Sequence, residues 1–333
     1  MTIHAHAAMA ARKPLEKYEY DPGPVGPDEV EVEITHCGIC HSDIHLIDND
    51  WQSSVYPLVP GHEIVGAVAE VGANVKHLKK GQRVGIGWQC GSCGHCEYCA
   101  RGEENLCSAN RATAVGHYGG FAERVRADAV FAFPIPDALE SENAAPLLCG
   151  GVTVFSPLRH YGVDATMRVG VVGIGGLGHL ALQYAKALGC EVTAFSSTPA
   201  KEKEAKGFGA HHFVNTADRS QLRKRAGSLD FILSTIFVDQ DWMTYLGLLR
   251  PNGKLCFVGA GGTVNIPVFA LIGAQKCICG SVIGGRARIA EMLDFSARHG
   301  IRAKTEAAPM AECNRAVDKV RAGQARYRMV LTN

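Results

Sequence analysis

The chain has 333 residues, 47% of them hydrophobic, with 34 Lys+Arg against 33 Asp+Glu. That length provides an ample core and about two domains, while the near-zero net charge excludes a global field that would recruit nucleic acid or an anionic membrane. Partners are therefore expected to be small molecules.

The opening MTIHAHAAMAARK has no basic segment followed by an apolar one, and the uncharged run 169–185 contains five glycines. Neither an export signal nor a membrane span is expected. Thirteen cysteines, an odd number without a secretory leader, fit a cytoplasmic location. There, clustered thiols read as metal ligands rather than as a disulfide framework.

Short strands are expected at 30–35, 64–71, 83–86, 121–125 and 130–133, separated by Gly, Pro and Asn/Asp turns, which makes a small β-rich unit. From about 150 to 285, strand-like runs at 168–173, 191–195, 231–235, 254–258 and 277–283 alternate with helical stretches such as 179–188. That alternation is the pattern of a doubly wound parallel α/β sheet. Beyond about 287, two helical stretches are expected to flank a closing strand at 327–331 that returns to the first unit. The expected division is a first domain over 1–149, with 287–333 returning to it, and an inserted dinucleotide-binding domain over 150–286.

Residues 90–107 read CGSCGHCEYCARGEENLC, five cysteines in eighteen residues. Cys93, Cys96, Cys99 and Cys107 give C-x2-C-x2-C-x7-C, and four thiolates surround one Zn²⁺ tetrahedrally with no position left for substrate. An unliganded loop and an iron–sulfur site are the competing readings. Cys90 also makes C-x2-C with Cys93, so the register stays open at this point.

A second set is dispersed through CGICHSDIH (37–45), VPGHE (59–63) and PLLCGG (146–151). One Cys, one His and another Cys suit a catalytic zinc with an open fourth position. Taken singly, however, Cys149 reads as packing, His62 as a turn histidine and Cys37 as core. The third signal is VGVVGIGGLGHLAL (169–182), where an apolar strand meets Gly173, Gly175, Gly176, Leu177 and Gly178 and then a helix. In that position glycines permit the tight turn and the approach of backbone N–H groups to a pyrophosphate.

Together these segments, with NDWQSSVYPLVPGHEIVG, PLLCGGVTVFSPL, EVTAFSSTPAK and ARYRMVL, make the chain resemble the zinc-dependent medium-chain alcohol dehydrogenases nearly end to end. The likeness is stronger to their cinnamyl alcohol dehydrogenase branch, with its bacterial NADPH-dependent aldehyde reductases. The resemblance implies a GroES-like β-rich catalytic domain and a Rossmann domain, with the active site in the cleft between them.

Position by position, the resemblance makes Cys40, His62 and Cys149 the catalytic zinc ligands and Glu63 their supporting or alternate ligand. It makes Asp43 the carboxylate that holds the histidine, Ser42 the hydroxyl that meets substrate, and His45 the outer member of a proton relay. His41 lies where the family places a residue near the cofactor phosphates, and Thr153, Ser281 and Ile283 fall in segments near the nicotinamide. Cys93, Cys96, Cys99 and Cys107 become the structural zinc knuckle, which leaves Cys90 unassigned. Two Zn²⁺ per chain, NADP(H), a small aldehyde or alcohol substrate and a homodimer paired through 266–283 are the implied cofactors and partners.

Preference for NADPH rests on the end of the second Rossmann strand. NAD-specific folds usually place a carboxylate there, whereas Glu191–Phe195 is followed by Ser196, Ser197 and Thr198, with Lys201 soon after. Small hydroxyls and a cation suit a 2′-phosphate; the plainer reading is a helix cap at Ser197 or Thr198. Rival functions are an NAD-dependent polyol dehydrogenase and a non-catalytic zinc- and nucleotide-binding redox sensor. The run RSQLRKR (219–225) and the pair His211–His212 read as solvated surface. Trp51 and Tyr56 either line a substrate pocket or pack the β-rich domain.

Overall fold

The computed structural model describes all 333 residues, which divide into two compact units, 1–152 with 283–333, and 153–282.

The first unit opens with an antiparallel hairpin, β1 (Ile3–Ala8) and β2 (Leu15–Tyr20), followed by β3 (Glu29–Ile39) and α1 (His41–Asp48). Next come β4 (Glu63–Val71), β5 (Arg83–Ile86), β6 (Gln89–Gly91), α2 (Glu97–Ala100), β7 (Arg111–Ala112), β8 (Arg124–Asp128), β9 (Ala132–Pro134) and α3 (Ser141–Ala144). β3 alternates as EVEVEIT, and its central position lets it bond β4, β8 and the last strand of the chain at once. The apolar side chains of β3, β4 and β5 bury against α1 and the C-terminal helix in one cluster that includes Val30, Val32, Ile64, Phe121 and Val317. Each large side chain so buried contributes about 1.5–3 kcal/mol.

α4 (Gly150–His160) crosses into the second unit, which continues with β10 (Arg168–Val172), α5 (Gly178–Ala187), β11 (Glu191–Ser196), α6 (Glu202–Gly207) and β12 (His212–Asn215). It ends with α7 (Arg219–Arg223), β13 (Leu229–Ser234), α8 (Trp242–Leu248), β14 (Leu249–Phe257), α9 (Val268–Ile272) and β15 (Cys277–Gly280). All six strands are parallel in the order β12-β11-β10-β13-β14-β15, the doubly wound arrangement. The middle strands read as near-continuous apolar runs, because helices cover both faces and each residue of the pleat is buried.

The chain returns to the first unit through α10 (Arg286–His299), β16 (Thr305–Pro309), α11 (Cys313–Arg321) and β17 (Arg328–Thr332). Here the structure corrects the sequence reading. Both helices precede the closing strand instead of flanking it, and an unexpected strand, TEAAP, separates them and pairs in parallel with β17. The stretch expected as one strand over 121–125 is shared. Phe121 and Glu123 bond the hairpin through His6 and His4, while pairing with β3 occupies residues 124–128. The stretch 130–133 begins as a 3₁₀ turn, where Asp128 Oδ1 accepts the Val130 N–H, before β9 forms.

Candidate active site

β3 delivers Cys40, in extended conformation, to the N-terminus of α1. Asp43 lies one turn in, fully buried. Its Oδ2 accepts the Cys40 N–H at 2.8 Å, and its Oδ1 accepts the Gly61 N–H and the His62 Nδ1–H, each at 2.9 Å. One carboxylate thus fixes the helix start, the 61–62 turn and the histidine tautomer, leaving the Nε2 lone pair free to ligate. Gly61 is obligatory, since its φ is +100° and a Cβ there would come within 2.7 Å of Phe121 and Cys37. Cys37 is buried, packing behind this turn.

His62 Nε2 lies 3.3 Å from Cys149 Sγ, and Cys149 Sγ lies 3.9 Å from Cys40 Sγ. With Glu63, the four donor atoms fall within 4.8 Å of one another, all on buried residues. A tetrahedral zinc with bonds of roughly 2.0–2.3 Å needs ligand separations of about 3.5–3.8 Å, so Cys40, His62 and Cys149 fit.

Glu63 adds a second sign. One carboxylate oxygen accepts from Arg328, while the other, Oε2, is buried with no hydrogen-bond partner. An unpaired buried carboxylate oxygen is costly unless a cation faces it. Charge in the cluster points the same way. The Cys149 hydrogen bond, helped by Arg328 and His62, holds the Cys40 thiol well below its usual range against the opposing effect of burial. Burial disfavours protonation of His62, but Asp43 and Cys40 outweigh it and raise the imidazole to about 10. The arrangement is an anion-rich pocket that a divalent metal would neutralise.

On α1, Ser42 Oγ lies 3.7 Å from Cys40 Sγ. His45 is fixed through Nδ1 to Asp50 Oδ2 at 2.8 Å, a bond that keeps Asp50 below the ordinary carboxylate range. Its ring stands 5.1 Å from Trp51 and 5.7 Å from His41, whose own pKa burial lowers. Trp88 packs edge-on against His62 at 4.8 Å and against Trp51 at 6.2 Å. Trp51 therefore belongs to an aromatic wall beside the cluster. Tyr56 belongs to the packing, its hydroxyl donating to the Ile47 carbonyl at 3.0 Å.

The knuckle lies in the 3₁₀ and helical turns around α2. Sulfur–sulfur separations are 3.8 Å for Cys93–Cys99, 3.6 Å for Cys96–Cys99 and 3.6 Å for Cys107–Cys93. These match the edges of a tetrathiolate zinc tetrahedron, about 3.8 Å for bonds of about 2.3 Å. Backbone N–H groups of His95 and Cys96 draw the Cys93 thiol down to about 6. Cys90 lies outside this group, buried, with its sulfur on the Arg111 carbonyl and its thiol pushed up to about 11 by burial. The structure brings the later four cysteines together and leaves Cys90 apart from them.

In the second unit, β10 runs into Gly173 (φ +90°), where a Cβ would meet Ile236 at 2.4 Å. A Cβ on Gly178 would lie 1.8 Å from the Gly173 carbonyl, so α5 packs against the turn as only glycine allows. Gly175 faces open space. At the end of β11, Ser196 Oγ accepts the Thr198 N–H at 3.2 Å, and Ser197 is exposed. Neither Ser197 nor Thr198 caps the short helix that follows. Lys201 reaches back to donate to the Ile174 carbonyl at 2.7 Å, which places its ammonium at the glycine turn. Thr153 is buried in α4, the Ser281 N–H donates to the Phe257 carbonyl, and Ile283 adopts a left-handed φ of +35°.

Two family models match the chain: the alcohol dehydrogenase GroES-like domain over residues 26–137 and the zinc-binding dehydrogenase over 176–298. The chain belongs to the zinc-binding alcohol dehydrogenases. Among relatives in this family, aldehyde reductase AdhA of Synechocystis sp. is 44% identical over 99% of both chains. Probable cinnamyl alcohol dehydrogenase 6 of Arabidopsis thaliana is 40% identical over 98% of this chain and 92% of that one. The structure of a Sorghum bicolor cinnamyl alcohol dehydrogenase superposes with a TM-score of 0.96 at 38% identity, over 100% and 98% of the two chains. The cinnamyl alcohol dehydrogenase of Helicobacter pylori, complexed with NADP(H), gives 0.93 at 33% identity, also over 100% and 98%.

Three residues of this alcohol dehydrogenase's site escaped the sequence reading: Asp50, Trp88 and Arg328. The first two carry no local pattern. Arg328 is a buried cation at the head of the closing strand RMVLT, a placement that a buried anion beside it accounts for and that the sequence alone does not reveal.

Proposed function

We propose that this alcohol dehydrogenase reduces aldehydes to primary alcohols, and reverses that reaction, with NADP(H) and two zinc ions per chain. The observation that carries the reading is the convergence of Cys40, His62, Cys149 and Glu63 around one point, with Asp43 locking the histidine. Those residues would hold the catalytic ion, and Cys93, Cys96, Cys99 and Cys107 the structural one. When bound, zinc supplies Lewis acidity and NADPH supplies the hydride.

The chain's own residues do the rest. Asp43 takes the Nδ1–H of His62, so that Nε2 is the nitrogen turned toward the sulfurs and would ligate the ion once its proton is displaced. Arg328 balances Glu63, so that the cluster's charge is tuned rather than excessive. Ser42 gives its hydroxyl proton to the nascent alcohol oxygen, and His45, steadied by Asp50, resupplies it from the outer side of α1. Trp51 and Trp88 present flat apolar faces beside the cluster, which favours planar, unsaturated or aromatic aldehydes over hydrated sugars.

Ser196, Ser197 and Lys201 take the 2′-phosphate, the glycine turn takes the pyrophosphate, His41 approaches the phosphates, and Thr153, Ser281 and Ile283 attend the nicotinamide. A homodimer is supported by the edge strand β15 and the exposed side chains of Val268, Phe269 (79% exposed) and Ile272 beside it.

The test is NADPH oxidation at 340 nm against a panel of aldehydes, with metal analysis of the same preparation. Two zincs and aromatic-aldehyde-dependent oxidation are expected; absence of turnover with every aldehyde would favour a nucleotide-binding sensor. Relatives from Fragaria ananassa and Petroselinum crispum carry the name mannitol dehydrogenase, so mannitol with NAD⁺ or NADP⁺ belongs in the panel. Faster turnover there would move the assignment to polyol oxidation. A charged hydrogen bond is worth about 1.5–3 kcal/mol. Lys201→Ala should therefore weaken NADPH binding roughly 10- to 100-fold and leave NADH nearly unchanged.

A further inference from the structure

The knuckle loop holds a buried charge that is not one of its metal donors. Glu104, three residues before Cys107, is fully buried, yet the donor group there consists of Cys93, Cys96, Cys99 and Cys107 alone. Its backbone is part of the knuckle, since its carbonyl accepts the Cys107 N–H at 3.0 Å. Its carboxylate serves the return segment instead. Oε2 accepts the Arg286 N–H at 2.8 Å, and Oε1 accepts the Arg286 Nε–H at 2.6 Å. Arg286 opens the 14-residue helix α10, whose N-cap, Gly285, has no side chain to offer. Glu104 thus supplies the missing acceptor and a negative charge at that helix start from 182 positions away.

The backbones meet as closely as glycine allows. A Cβ on Gly285 would lie 2.0 Å from the Gly102 carbonyl oxygen, and one on Gly102 would lie 2.9 Å from Ala287. One residue earlier, a Cβ on Gly284 would meet Val152, in the first turn of α4, at 2.7 Å. The Arg286 guanidinium also stands 5.8 Å from the ring of buried Phe131. Residues 284–286 are therefore seated on the knuckle turn and on the start of α4, all within the first unit. Just ahead of them Ile283 holds a left-handed φ of +35°, which a β-branched residue adopts only where its surroundings impose it.

Ile283 and Thr153, the chain neighbours of Gly284 and Val152, are two of the residues assigned above to the nicotinamide. We propose that Glu104 is a positioning residue for the nicotinamide end of the cofactor, acting through Arg286 to fix Ile283 and the turn that abuts α4. The inference rests on the NADP(H) reading. A buried ion pair is weak evidence for stability, but two charge-assisted bonds from one carboxylate to one residue define place and direction narrowly. The knuckle then reaches beyond its own lobe and sets the geometry of a segment used in hydride transfer.

The test compares zinc-loaded wild type with Glu104→Gln and Glu104→Ala. It reads zinc content, kcat with an aldehyde, and the dissociation constants of NADPH and of 2′,5′-ADP, a fragment that lacks nicotinamide. Zinc content and 2′,5′-ADP binding should match wild type. NADPH should bind more weakly, and kcat should fall by roughly 10- to 100-fold, the effect of a small misplacement of reacting groups. Alanine should be worse than glutamine, which keeps one acceptor oxygen. Equal weakening of both ligands overturns the proposal, as does a lower melting temperature with NADPH binding and turnover unchanged. Should Glu104→Ala prove insoluble, Glu104→Gln and Arg286→Lys, which keeps the charge and loses the fork, decide the matter. If wild type oxidises NADPH with no aldehyde, the NADP(H) reading falls and this inference with it; if it does and the variants match it, the inference alone falls.

Discussion

The knuckle around α2 and the cluster at the start of α1 both gather sulfur, yet they are built for opposite ends. The knuckle's four donors come from fifteen consecutive residues and are alike, so as the proposed zinc ligands they would leave no position open. The α1 cluster takes its donors from the residue between β3 and α1, from the turn into β4 and its first residue, and from the residue before α4. It mixes sulfur, nitrogen and a carboxylate, and surrounds them with groups whose work is orientation: Asp43, Arg328, Asp50 and Trp88. A closed shell of identical ligands stabilises. An incomplete shell with a rigid surround leaves room for chemistry.

The sharpest break in this comparison is to remove one sulfur from each. Cys149→Ala or Cys40→Ser should lower turnover by roughly 10³-fold or more, because Lewis-acid stabilisation is worth several kcal/mol, with one zinc retained and the melting temperature little changed. Cys99→Ser should do the converse: residual turnover in the folded fraction, loss of the other zinc and a melting temperature lower by about 10 °C, since structural zinc binding is coupled to folding. Metal analysis and calorimetry on the same two variants decide whether the roles are separate; identical behaviour would abolish the distinction.

Next in size is Arg328→Met, which strands a buried carboxylate. Loss of one partner of a buried pair costs about 3–5 kcal/mol, and Glu63→Gln placed in the same protein should recover most of it, read by denaturant midpoints. His45→Gln should reduce turnover at neutral pH by about 10²-fold without touching zinc content or stability. An unchanged pH–rate profile would mean that protons reach Ser42 from solvent. The smallest effect is Trp88→Leu, expected to shift kcat/KM towards aliphatic aldehydes by roughly tenfold, in keeping with the ~0.5–1.5 kcal/mol of one aromatic contact.

The two sites also differed in how far the sequence disclosed them. Cys93, Cys96, Cys99 and Cys107 announce themselves because their spacing is itself the geometry: a short loop brings them together whatever the rest of the chain does. Cys40, His62 and Cys149 were found through family likeness alone, since no local pattern tells that residues 109 positions apart will meet. Asp50 and Trp88 could be found only by folding the chain, because an acid at a helix end and a tryptophan after a strand have many ordinary uses. The same contrast holds for the fold. The β10, β11 and β13 runs were legible as buried strands. β2, LEKYEY, and β16, TEAAP, were not, for one lies mostly exposed and the other is too short and alanine-rich to show a period.

The pairing of Glu63 with Arg328 has a consequence for how the molecule is made. The two side chains are 265 positions apart, and the second unit, one uninterrupted stretch of 153–282, is synthesised between them. Domains tend to fold as units during synthesis, so the nucleotide-binding half has all its strands before the other half receives β16 and β17. Until those last residues leave the ribosome, Glu63 has no counter-charge and β3 lacks its neighbour β17 on that edge. The growing chain therefore holds Cys40, His62, Glu63 and Cys149, the proposed metal ligands, long before it holds the arginine that balances them, and the site is completed last.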